Sequence, residues 1–513
     1  MTTQPTSVSR HRFAILGAGP AGVQLASYLR AAGADYVILE RADGPASFFR
    51  RFPRHRKLIS LNKLNVGTDD REIQLRWDWN SLLSAEDKPV FADYSRDWFP
   101  DADTLVQYVT DFQKTHVPDV RFGVDVVRVS RTDDGFRLLT ADGEVVEAEC
   151  LIAATGWGGP NIPAIEGIEH AVGYEDASTD PAQYRDKRVL VIGKGNSAFE
   201  TALPMLGHAR VVHLASPNPV RLAWHSKHPG DVRGQFGALL DGYWFKTLDA
   251  VLECQVDRIR PHENGFRVDI TYTLAGGEQT SLDYDTVICC TGFRMDTSIF
   301  DDSCRVDLMP NGRIPASGPD WQSPSVDGLY FAGTIAQARD TKHASSPFID
   351  GFRYNLRALT ELLLERYENR PLPRERVRTA DLTSTILDRL NGSSAVGTQF
   401  EYLVDAFVLD GDEAWHYREL PEDLLIERFA DADRMIVASL RWGDRTANPD
   451  VFAIERRPTP EHADESAFIH PVIRRYERGR LVDECHLLED LHGVWRRPDR
   501  HVEPLQRYLD KIL

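Results

Sequence analysis

The most regular pattern of apolar and polar positions lies in residues 13–40. Residues 13–16 and 36–39 are short apolar runs without helical spacing, which is typical of buried strands, and helix-forming side chains fill 21–32 between them. The same order recurs from residue 188 to residue 216, with apolar runs at 188–192 and 211–215 around a helix that Pro204 should kink or shorten. Strands that alternate with helices in this way predict an α/β fold.

The turn after the first strand contains three glycines in the spacing G-x-G-x-x-G. The first permits a sharp turn, the second lets a pyrophosphate approach the backbone, and the third lets the helix pack closely on the strand. The helix that follows would face phosphates with its N-terminal amides. Glu40 ends the next strand, 23 residues after the first glycine, where an acid can bond ribose hydroxyls. The predicted contacts of this dinucleotide site are Gly17, Gly19, Pro20, Ala21, Gly22 and Glu40.

The turn of the second repeat reads G-x-G-x-x-A, and its strand ends at Ser216, also 23 residues after the first glycine. A carboxylate at this position would repel the 2′-phosphate of NADPH, whereas serine would not, and Arg221 is close enough in sequence to pair with it. The comparison predicts FAD at the first turn and NADPH, in preference to NADH, at the second; a surface role for Arg221 is the alternative. The predicted contacts here are Gly193, Gly195, Asn196, Ser197, Ser216 and Arg221.

Three further apolar strands, at 150–157, 284–293 and 329–334, contain or end in glycine turns, and a long helix is predicted from 350 to about 367. The basic and aromatic segment 41–65 follows the strand that ends at Glu40, so it must run past the rest of a bound cofactor; a solvated positive loop is the alternative. Further predicted cofactor contacts are Arg41, Lys57, Ser60, Val126, Thr155, Gly156, Gly333 and Thr334.

Composition narrows the class of protein. A chain of 513 residues is expected to form two or three domains, and a net charge of −18 argues against nucleic acid as a partner. The N-terminal segment has no apolar core of signal-peptide length, and no run approaches the ~20 apolar residues of a membrane span. A cytoplasmic protein without a membrane partner is therefore expected, and no metal site is predicted.

The six cysteines include no C-x-x-C pair. Cys289 and Cys290 are adjacent in an apolar strand, where a buried structural role is favoured over redox work because buried cysteine behaves as a small hydrophobe. Nothing in the spacing indicates a disulfide framework, which fits a reducing cytosol.

With these motifs in place, the chain resembles the flavoproteins with two dinucleotide-binding domains and, among them, the class B flavin monooxygenases. The resemblance rests on both glycine turns, on Thr155-Gly156 and Thr291-Gly292, and on the strand LYFAGT at 329–334, and it covers about residues 1–365. It implies two Rossmann-like domains, in which the NADPH-binding domain, 161–290, is inserted between two parts of the FAD-binding domain, 1–160 and 291–369. Residues 370–513 would be a C-terminal domain or a lid.

A narrower resemblance covers nearly the full length. The segments RHRKLISLNK, DWNSLLS, PVRLAWHSKHPGDVRG, FIDGFRYNLRAL and FIHPVIRRY are similar to the endoplasmic-reticulum FAD-containing oxidoreductases and their bacterial relatives, which resemble aspartate N-monooxygenases that form nitrosuccinate. The chain lacks the signal peptide and retention tail of the secretory member. It also departs from the class B fingerprint F-x-G-x-x-x-H, where it has Ala171, Gly173 and Ala177, so Baeyer–Villiger chemistry is disfavoured and N-oxygenation remains open.

The resemblance implies that NADPH reduces FAD, that the reduced flavin captures O2 as a C4a-hydroperoxide, and that an amine takes the distal oxygen. The expected substrate is a small acidic amino acid, aspartate first. Its amine must be unprotonated, so a base or a desolvating wall should lie near it, and its two carboxylates call for at least two cations. The candidate catalytic residues are Asn62, Lys63, Arg294 and Arg441.

Each candidate has an alternative role. Asn62 would hydrogen-bond the hydroperoxide or retained NADP, or would only form a turn, and each cation would serve the substrate, the FAD phosphates or solvent. Arg441 reaches the site only if the C-terminal region folds back as a lid. For the whole chain, a flavin reductase or thiol–disulfide oxidoreductase without oxygen insertion is the rival, although the absent C-x-x-C disfavours it. A flavin-binding interaction protein is a third reading, and a homodimer is left open.

Overall fold

The computed structural model describes residues 8–226, 228, 230–243, 246–341, 343–444 and 450–513. Residues 1–7 and Arg445, on which parts of the predictions for the N-terminus and for the segment RWGDR fall, lie outside the described residues. The strands are β1 Val8–Leu16, β2 Tyr36–Glu40, β3 Arg121–Phe122, β4 Val126–Thr132, β5 Gly135–Thr140, β6 Val145–Ala153, β7 Gly159–Pro160, β8 Val172–Gly173, β9 Arg188–Ile192, β10 Val211–Ser216, β11 Ala250–His262, β12 Gly265–Tyr272, β13 Gln279–Tyr284, β14 Thr286–Cys289, β15 Phe293–Arg294, β16 Leu329–Phe331, β17 Glu375–Arg378, β18 Leu403–Asp410, β19 Glu413–Pro421, β20 Met435–Arg441, β21 His470–Glu477 and β22 Arg480–His486.

The helices confirm the long helical predictions and add short ones. They are α1 Pro20–Ala31, α2 Ser47–Arg51, α3 Arg71–Leu75, α4 Ala102–His116, α5 Asn196–Ala202, α6 Ala223–Ser226, α7 Ala238–Gly242, α8 Ile349–Glu368, α9 Leu382–Gly392, α10 Glu422–Arg428 and α11 Glu503–Ile512. As predicted from Pro204, α5 is short: it ends at Ala202, and a 3-10 turn, Leu203–Met205, follows it. In the part of the chain that the structure describes, no helix is both long and apolar enough to span a bilayer.

β1 is a central strand of the first sheet, whose order is β3-β2-β1-β6-β5-β4, with β16 paired to β6. It runs parallel to β2 and to β6, with Leu16 opposite both Leu39 and Ala153. The strand begins at Val8, five residues before the apolar run, because residues 8–11 pair with β6 while their side chains stay partly or largely exposed. Pairing, rather than hydrophobicity, extends this strand.

The second sheet lies between β6 and β16 in the chain and has the order β13-β12-β11-β10-β9-β14-β8. Its parallel strands β10, β9 and β14 repeat the arrangement of β2, β1 and β6. Because the chain leaves the first sheet after β6 and returns to it at β16, the second unit is inserted into the first. The mixed α/β fold with parallel sheets is confirmed, while the residue boundaries of the four predicted segments stay a prediction.

The C-terminal region forms a separate antiparallel sheet of order β17-β19-β18-β20-β21-β22. Helices α9 and α11 cover it with buried leucines and isoleucines that contact Phe407 and Ile436 of the sheet. One face of this sheet packs under helices, while residues such as Val404, Ala406 and Val437 belong to the core that also contains the first sheet. Whether residues 370–513 form a domain or a lid stays a prediction.

An aromatic cluster joins the first unit to the second. Phe52, which follows α2, packs against Tyr174 and Phe293 with ring centroids 5.5 and 4.9 Å apart. Beside it, the backbone amide of His55 donates to Glu200 of α5 at 3.0 Å. The aromatic part of segment 41–65 is therefore built into the interface between the two units.

Candidate functional site

The first glycine turn has the close contacts that its sequence predicts. Gly17 has φ +102°, and a methyl group there would lie 2.7 Å from the carbonyl oxygen of Ala154. A methyl group at Gly22 would lie 1.9 Å from the carbonyl oxygen of Gly17, so helix and turn touch. A methyl group at Gly19 would meet no atom within 4 Å. The middle glycine thus leaves the backbone open to a phosphate, and the other two close the turn.

Glu40 is buried at the end of β2 and held by backbone amides. Its carboxylate accepts hydrogen bonds from Ala18 at 2.7 Å and from Ala42 at 2.9 Å. The acid therefore ties the glycine turn to the start of segment 41–65, and its remaining lone pairs can accept ribose hydroxyls. Arg41 beside it is exposed, and Val126 begins β4, two residues after Val124, which bonds the Glu40 carbonyl.

The turns after β6 and β16 complete the first site. Gly156 follows β6 with φ +60°, and the hydroxyl oxygen of Thr155 is buried without a hydrogen-bond partner among the described residues. A methyl group at Gly333, after β16, would lie 2.5 Å from the Ala21 side chain, so Thr334 also lies near the start of α1. Both predicted turns thus lie beside the glycine turn, and the orphaned hydroxyl fits a polar ligand there.

The second glycine turn repeats this geometry. Gly193 has φ +126°, and a methyl group there would lie 2.3 Å from the carbonyl oxygen of Cys290, the counterpart of Ala154. Gly195, like Gly19, has no atom within 4 Å of such a methyl group. Ser197 lies in the first turn of α5, next to Asn196. The residues present fit a second dinucleotide.

The end of β10 carries the groups expected at the 2′-phosphate. Arg221 is mostly exposed, and its guanidinium lies 3.7 Å from the carboxylate of buried Asp231. Lys194, within the glycine turn, reaches the same strand ends: its ammonium lies 3.0 Å from Glu253 and 3.4 Å from the Asn218 carbonyl. Lys194 is a second cation near Ser216 that the spacing argument missed, although its place inside the motif could have indicated it.

The adjacent cysteines are buried thiols. Cys289 ends β14 and Cys290 follows it, and both side chains are buried. Cys290 lies 3.7 Å from the Thr201 hydroxyl, and burial raises its pKa to about 12; burial also raises the pKa of Cys289. A thiolate is the reactive form, so neither group is poised for thiol exchange.

Lys63 lies in a cluster of aromatic and charged residues. Its ammonium is 3.2 Å from the ring centroid of Trp79 and donates to the Trp77 carbonyl at 3.3 Å. Burial, the largest cause, and the positive charge of Arg233 lower the pKa of Lys63, Asp350 and Asp78 oppose the shift, and the net pKa is about 7. At neutral pH this lysine can hold either charge state, a property that is common at functional sites.

Two acids accompany Lys63: Asp350 is buried and Asp78 is partly buried. Asp350, in the first turn of α8, is 3% exposed, and burial raises its pKa to about 6 against the pull of Arg353 and Lys63. Burial also opposes ionisation of Asp78, but Arg353 and Ser81 outweigh it and lower the pKa of that carboxyl. Acids and cations thus alternate through this part of the protein.

Arg353 positions the loop that holds Trp79. It is fully buried and donates to the carbonyls of Ser81 and Leu75, both at 2.7 Å. The side chain of Gln24, in α1, fixes the same loop through both backbone groups of Leu83, at 2.9 and 2.7 Å. Because α1 begins at the first glycine turn, the Lys63 cluster is anchored to the helix that would face the FAD phosphates.

The other predicted residues are placed differently. The buried side chain of Asn62 donates to the Ser95 carbonyl at 2.7 Å. This bond fits the alternative in which Asn62 only forms a turn. Lys57 pairs with Asp101 at 3.0 Å, and Ser60 is partly buried. Arg294 is exposed in β15. Arg441 ends β20, where its guanidinium pairs with Glu422 and donates to Ser439, so a substrate role would require that ion pair to open.

Sequence reasoning missed Trp79, Arg233 and Asp350, which face Lys63, and Arg353, which faces the acids beside it. The segments DWNSLLS, PGDVRG and FIDGFRYN contain them, but no periodic pattern connects residues so far apart in the chain. Among the described residues, no group of His, Cys, Asp and Glu is arranged to hold a metal ion.

Two glycine turns of matching geometry, each followed by a strand end suited to a ribose, define a flavoprotein oxidoreductase with two dinucleotide-binding domains. Residues 14–333 match the family described as pyridine nucleotide-disulphide oxidoreductase, and FAD and NAD(P)H are the cofactors. The chain is 34% identical to the FAD-dependent oxidoreductase domain-containing protein 2 of Mus musculus, over 98% of this chain and 84% of the relative. The chain therefore belongs to the pyridine nucleotide-disulphide oxidoreductase family and, within it, groups with the FAD-dependent oxidoreductase domain-containing protein 2.

Solved structures share the fold of the two dinucleotide-binding units. The flavin-containing monooxygenase from Stenotrophomonas maltophilia superposes with a TM-score of 0.54 at 20% identity, covering 70% of this chain and 99% of that one. The bacillithiol disulfide reductase from Staphylococcus aureus superposes with a TM-score of 0.53 at 19% identity, with the same two coverages. Because a monooxygenase and a disulfide reductase fit equally well, the fold alone does not choose the reaction.

Proposed function

We propose that this protein is an FAD- and NADPH-dependent monooxygenase that oxygenates the amino group of a small acidic amino acid, aspartate first, towards the hydroxylamine and nitrosuccinate. One observation carries the proposal: Lys63, with a pKa lowered to about 7, lies on Trp79, in the loop that Gln24 ties to the helix that begins at the predicted FAD turn. A partly buried cation in a loop held to this helix would suit a carboxylate-bearing substrate.

The same surroundings favour the reactive form of the substrate. Burial and the positive charge of Arg233 lower the pKa of the Lys63 ammonium. An α-ammonium held beside Lys63 would experience the same two effects and would lose its proton more readily than in water. When bound, FAD supplies the oxidation–reduction and oxygen-transfer chemistry, while these residues orient the amine and exclude water.

The other three candidate catalytic residues, Asn62, Arg294 and Arg441, differ in how much they would have to move to reach the proposed site. Asn62 precedes Lys63 and is buried, so it can position the flavin-side turn through its bond to Ser95. Arg294 is exposed and Arg441 is engaged with Glu422, so each would have to move to meet a second carboxylate. Lys63 is the candidate that needs the least rearrangement.

The test is NADPH consumption measured together with product across aspartate, asparagine, alanine, ornithine and lysine. We expect aspartate to give hydroxylamine or nitro product in proportion to NADPH consumed, because a substrate that lacks one carboxylate leaves a buried cation unpaired at a cost of about 2 kcal/mol. Turnover of ornithine or lysine with none for aspartate would contradict the substrate and leave the monooxygenase class standing.

The rival function is a flavin-linked reductase or thiol–disulfide oxidoreductase, which the family description and the fold equally accommodate. The buried thiols of Cys289 and Cys290, with raised pKa values, disfavour the thiol form of this rival. Reduction of a disulfide or another acceptor under nitrogen, at a rate that matches NADPH consumption and without oxygenated amine in air, would establish it.

A further inference from the structure

A short segment of the second unit reaches across to the Lys63 cluster. We call His228 and residues 230–233 the bridging loop. The Asn196 side chain, at the start of α5, donates to the carbonyls of Gly230 and Asp231 at 3.0 and 3.1 Å and accepts from the Arg233 amide at 3.1 Å. A residue predicted to contact the nicotinamide cofactor therefore fixes the shape of this loop.

A second predicted cofactor contact holds the same loop. Arg221 lies 3.7 Å from the Asp231 carboxylate, and its carbonyl accepts from the Val232 amide at 2.9 Å. Val232 in turn accepts from the Ala223 amide at 2.9 Å. Both sides of the bridging loop are thus tied to residues at which NADPH is expected to bind.

The far side of the loop contacts the first unit. The guanidinium of Arg233 lies 5.5 Å from the ring centroid of Trp79, the ring that also contacts the Lys63 ammonium at 3.2 Å. The His228 ring lies 5.9 Å from that of Phe348, which caps α8 two residues before Asp350. The loop therefore closes on the Lys63 cluster at two points.

The charges of this cluster favour an anion. Lys63, Arg233 and Arg353 are three cations within it, and Asp78 and Asp350 are two acids that face both Lys63 and Arg353. Arg233 is 9% exposed and destabilises the charged form of Lys63. A carboxylate bound between Lys63 and Arg233 would turn this repulsion into two charge-assisted hydrogen bonds.

We propose that Arg233 determines specificity for an anionic substrate by binding its carboxylate together with Lys63, and that the bridging loop makes NADP⁺ and this substrate bind cooperatively. The inference rests on the proposed function for the position of the substrate. It adds a residue of the NADPH-binding unit to the substrate site and a route by which one ligand affects the other.

Binding without turnover tests the proposal. The FAD-loaded full-length protein is titrated by calorimetry with succinate, a dicarboxylate without an amine to oxidise, and with aspartate, each with and without NADP⁺. We expect NADP⁺ to tighten succinate binding about fivefold or more. The Arg233→Gln change should weaken succinate about tenfold or more and abolish that enhancement. Absence of succinate and aspartate binding to the wild type would overturn the proposal.

A matched control separates binding from packing. Arg374 also lies over a tryptophan, 3.9 Å from the Trp415 centroid, but in the C-terminal sheet. Arg374→Gln removes a similar cation–π contact and should leave succinate affinity and its NADP⁺ enhancement unchanged. If Arg233→Gln behaves like Arg374→Gln, with a lower melting temperature and unchanged succinate binding, Arg233 is a structural contact and the proposal fails.

Two further variants keep the test decisive. If Arg233→Gln loses FAD, Arg233→Lys replaces it: the retained charge without the guanidinium geometry should weaken succinate measurably but less than tenfold, and wild-type affinity would contradict a direct bond from the guanidinium to the carboxylate. Asn196→Ala removes three hydrogen bonds from the loop, so it should reduce the NADP⁺ enhancement more than it reduces succinate affinity in the absence of NADP⁺. An undiminished enhancement would overturn the coupling.

The pH dependence adds an independent readout. Burial lowers the pKa of Lys63 to about 7 and raises that of Asp350 to about 6, so a rise in pH from 6 to 8 should remove positive charge, add negative charge and weaken succinate binding. The charged groups that face Lys63 are Asp350, Arg233 and Asp78, and the arginine keeps its charge over this range. Lys63→Gln should flatten the profile; an unchanged slope would contradict the role of Lys63 in the pair.

These outcomes distinguish the two proposals. A protein that binds succinate through Arg233 but oxygenates no amine would leave this inference standing and refute the proposed function. Oxygenation of aspartate that Arg233→Gln leaves unchanged, in KM as well as in kcat, would refute this inference and leave the proposed function standing.

Discussion

The two glycine turns share one backbone geometry and differ in the groups around it. Gly17 and Gly193 have φ values of +102° and +126°, and a methyl group at either would strike the carbonyl oxygen at the end of the neighbouring strand, on Ala154 or Cys290. Sterics at that contact dictate glycine in both units. The common frame binds the common part of a dinucleotide, its pyrophosphate.

The strand ends that follow the turns are where the units diverge. Glu40 is buried, and backbone amides on both sides hold its carboxylate, whereas Ser216 is partly exposed and accepts only a long bond, 3.4 Å, from the Asn218 amide among the bonds described for it. We predict that the acid of the first unit accepts a ribose hydroxyl and that the open strand end of the second unit leaves room for cations such as Arg221. Cofactor choice thus lies outside the glycine motif that identifies both units.

The third position of each motif differs as well. Gly22 touches the Gly17 carbonyl, whereas Ala198 occupies the same place in the second turn with its methyl group fully buried. The second helix is also shorter, 7 residues against 12. The comparison predicts that the first turn tolerates change less than the second.

The largest effect is expected from Gly22→Ala. The new methyl group would lie 1.9 Å from a backbone oxygen, so turn and helix must separate, at a cost of about 3 kcal/mol and with loss of FAD. Flavin absorbance per protein measures the FAD content, and the melting temperature measures the loss of stability. Gly19→Ala is the control: its methyl group meets no atom within 4 Å, so stability without FAD should change by less than about 0.5 kcal/mol. A Gly22→Ala protein with full flavin content would show that the two turns are equivalent.

A smaller effect is expected from Ser216→Glu, which gives the second unit the acid of the first. The carboxylate should repel the 2′-phosphate. The ratio of kcat/KM for NADPH to kcat/KM for NADH should therefore fall about thirtyfold, which corresponds to about 2 kcal/mol. Rapid-mixing measurements of flavin reduction with each cofactor provide the ratio. Ser216→Gln, similar in size but neutral, should change the ratio much less; equal losses for both variants would mean that size, not charge, decides.

Arg221→Ala should weaken NADPH about fivefold and NADH little, because an exposed guanidinium gains less from a phosphate than a buried one. The KM values for both cofactors in flavin reduction report the change. Arg185→Ala, an exposed arginine that precedes β9, serves as the control and should affect neither. Equal weakening of NADPH and NADH would remove Arg221 from the 2′-phosphate site.

The smallest functional effect is expected when Cys289 and Cys290 are both replaced by alanine. Cys290→Ala makes the second turn match the first, which has Ala154 there, and the buried thiols contribute mainly packing. Stability should fall by about 1 kcal/mol, while flavin reduction and product formation stay within about twofold. Loss of turnover with FAD still bound would revive the thiol–disulfide function.

The sequence by itself determined the local features of this fold. Glycine spacing, the apolar runs, Pro204 and the helical pattern of 350–367 act on neighbouring residues, so the turns, the parallel strands and α8 could be predicted from them. The predicted roles of Glu40 and Ser216 rest on the same short-range spacing. The first half of β1 pairs with a strand that is distant in sequence. The prediction from apolar residues therefore began at residue 13 and missed residues 8–12.

Only the tertiary structure decided which residues surround Lys63. Trp79, Arg233 and Asp350 lie on a loop of the first unit, on the second unit, and on the helix after the chain returns to the first sheet. They meet because one unit is inserted into the other, and no periodic pattern records that insertion. Arg441, attractive in sequence, pairs with Glu422 because β20 and α10 belong to a separate sheet and its helix. Burial and charge partners are properties of the assembled chain, and they set the chemistry of each of these side chains.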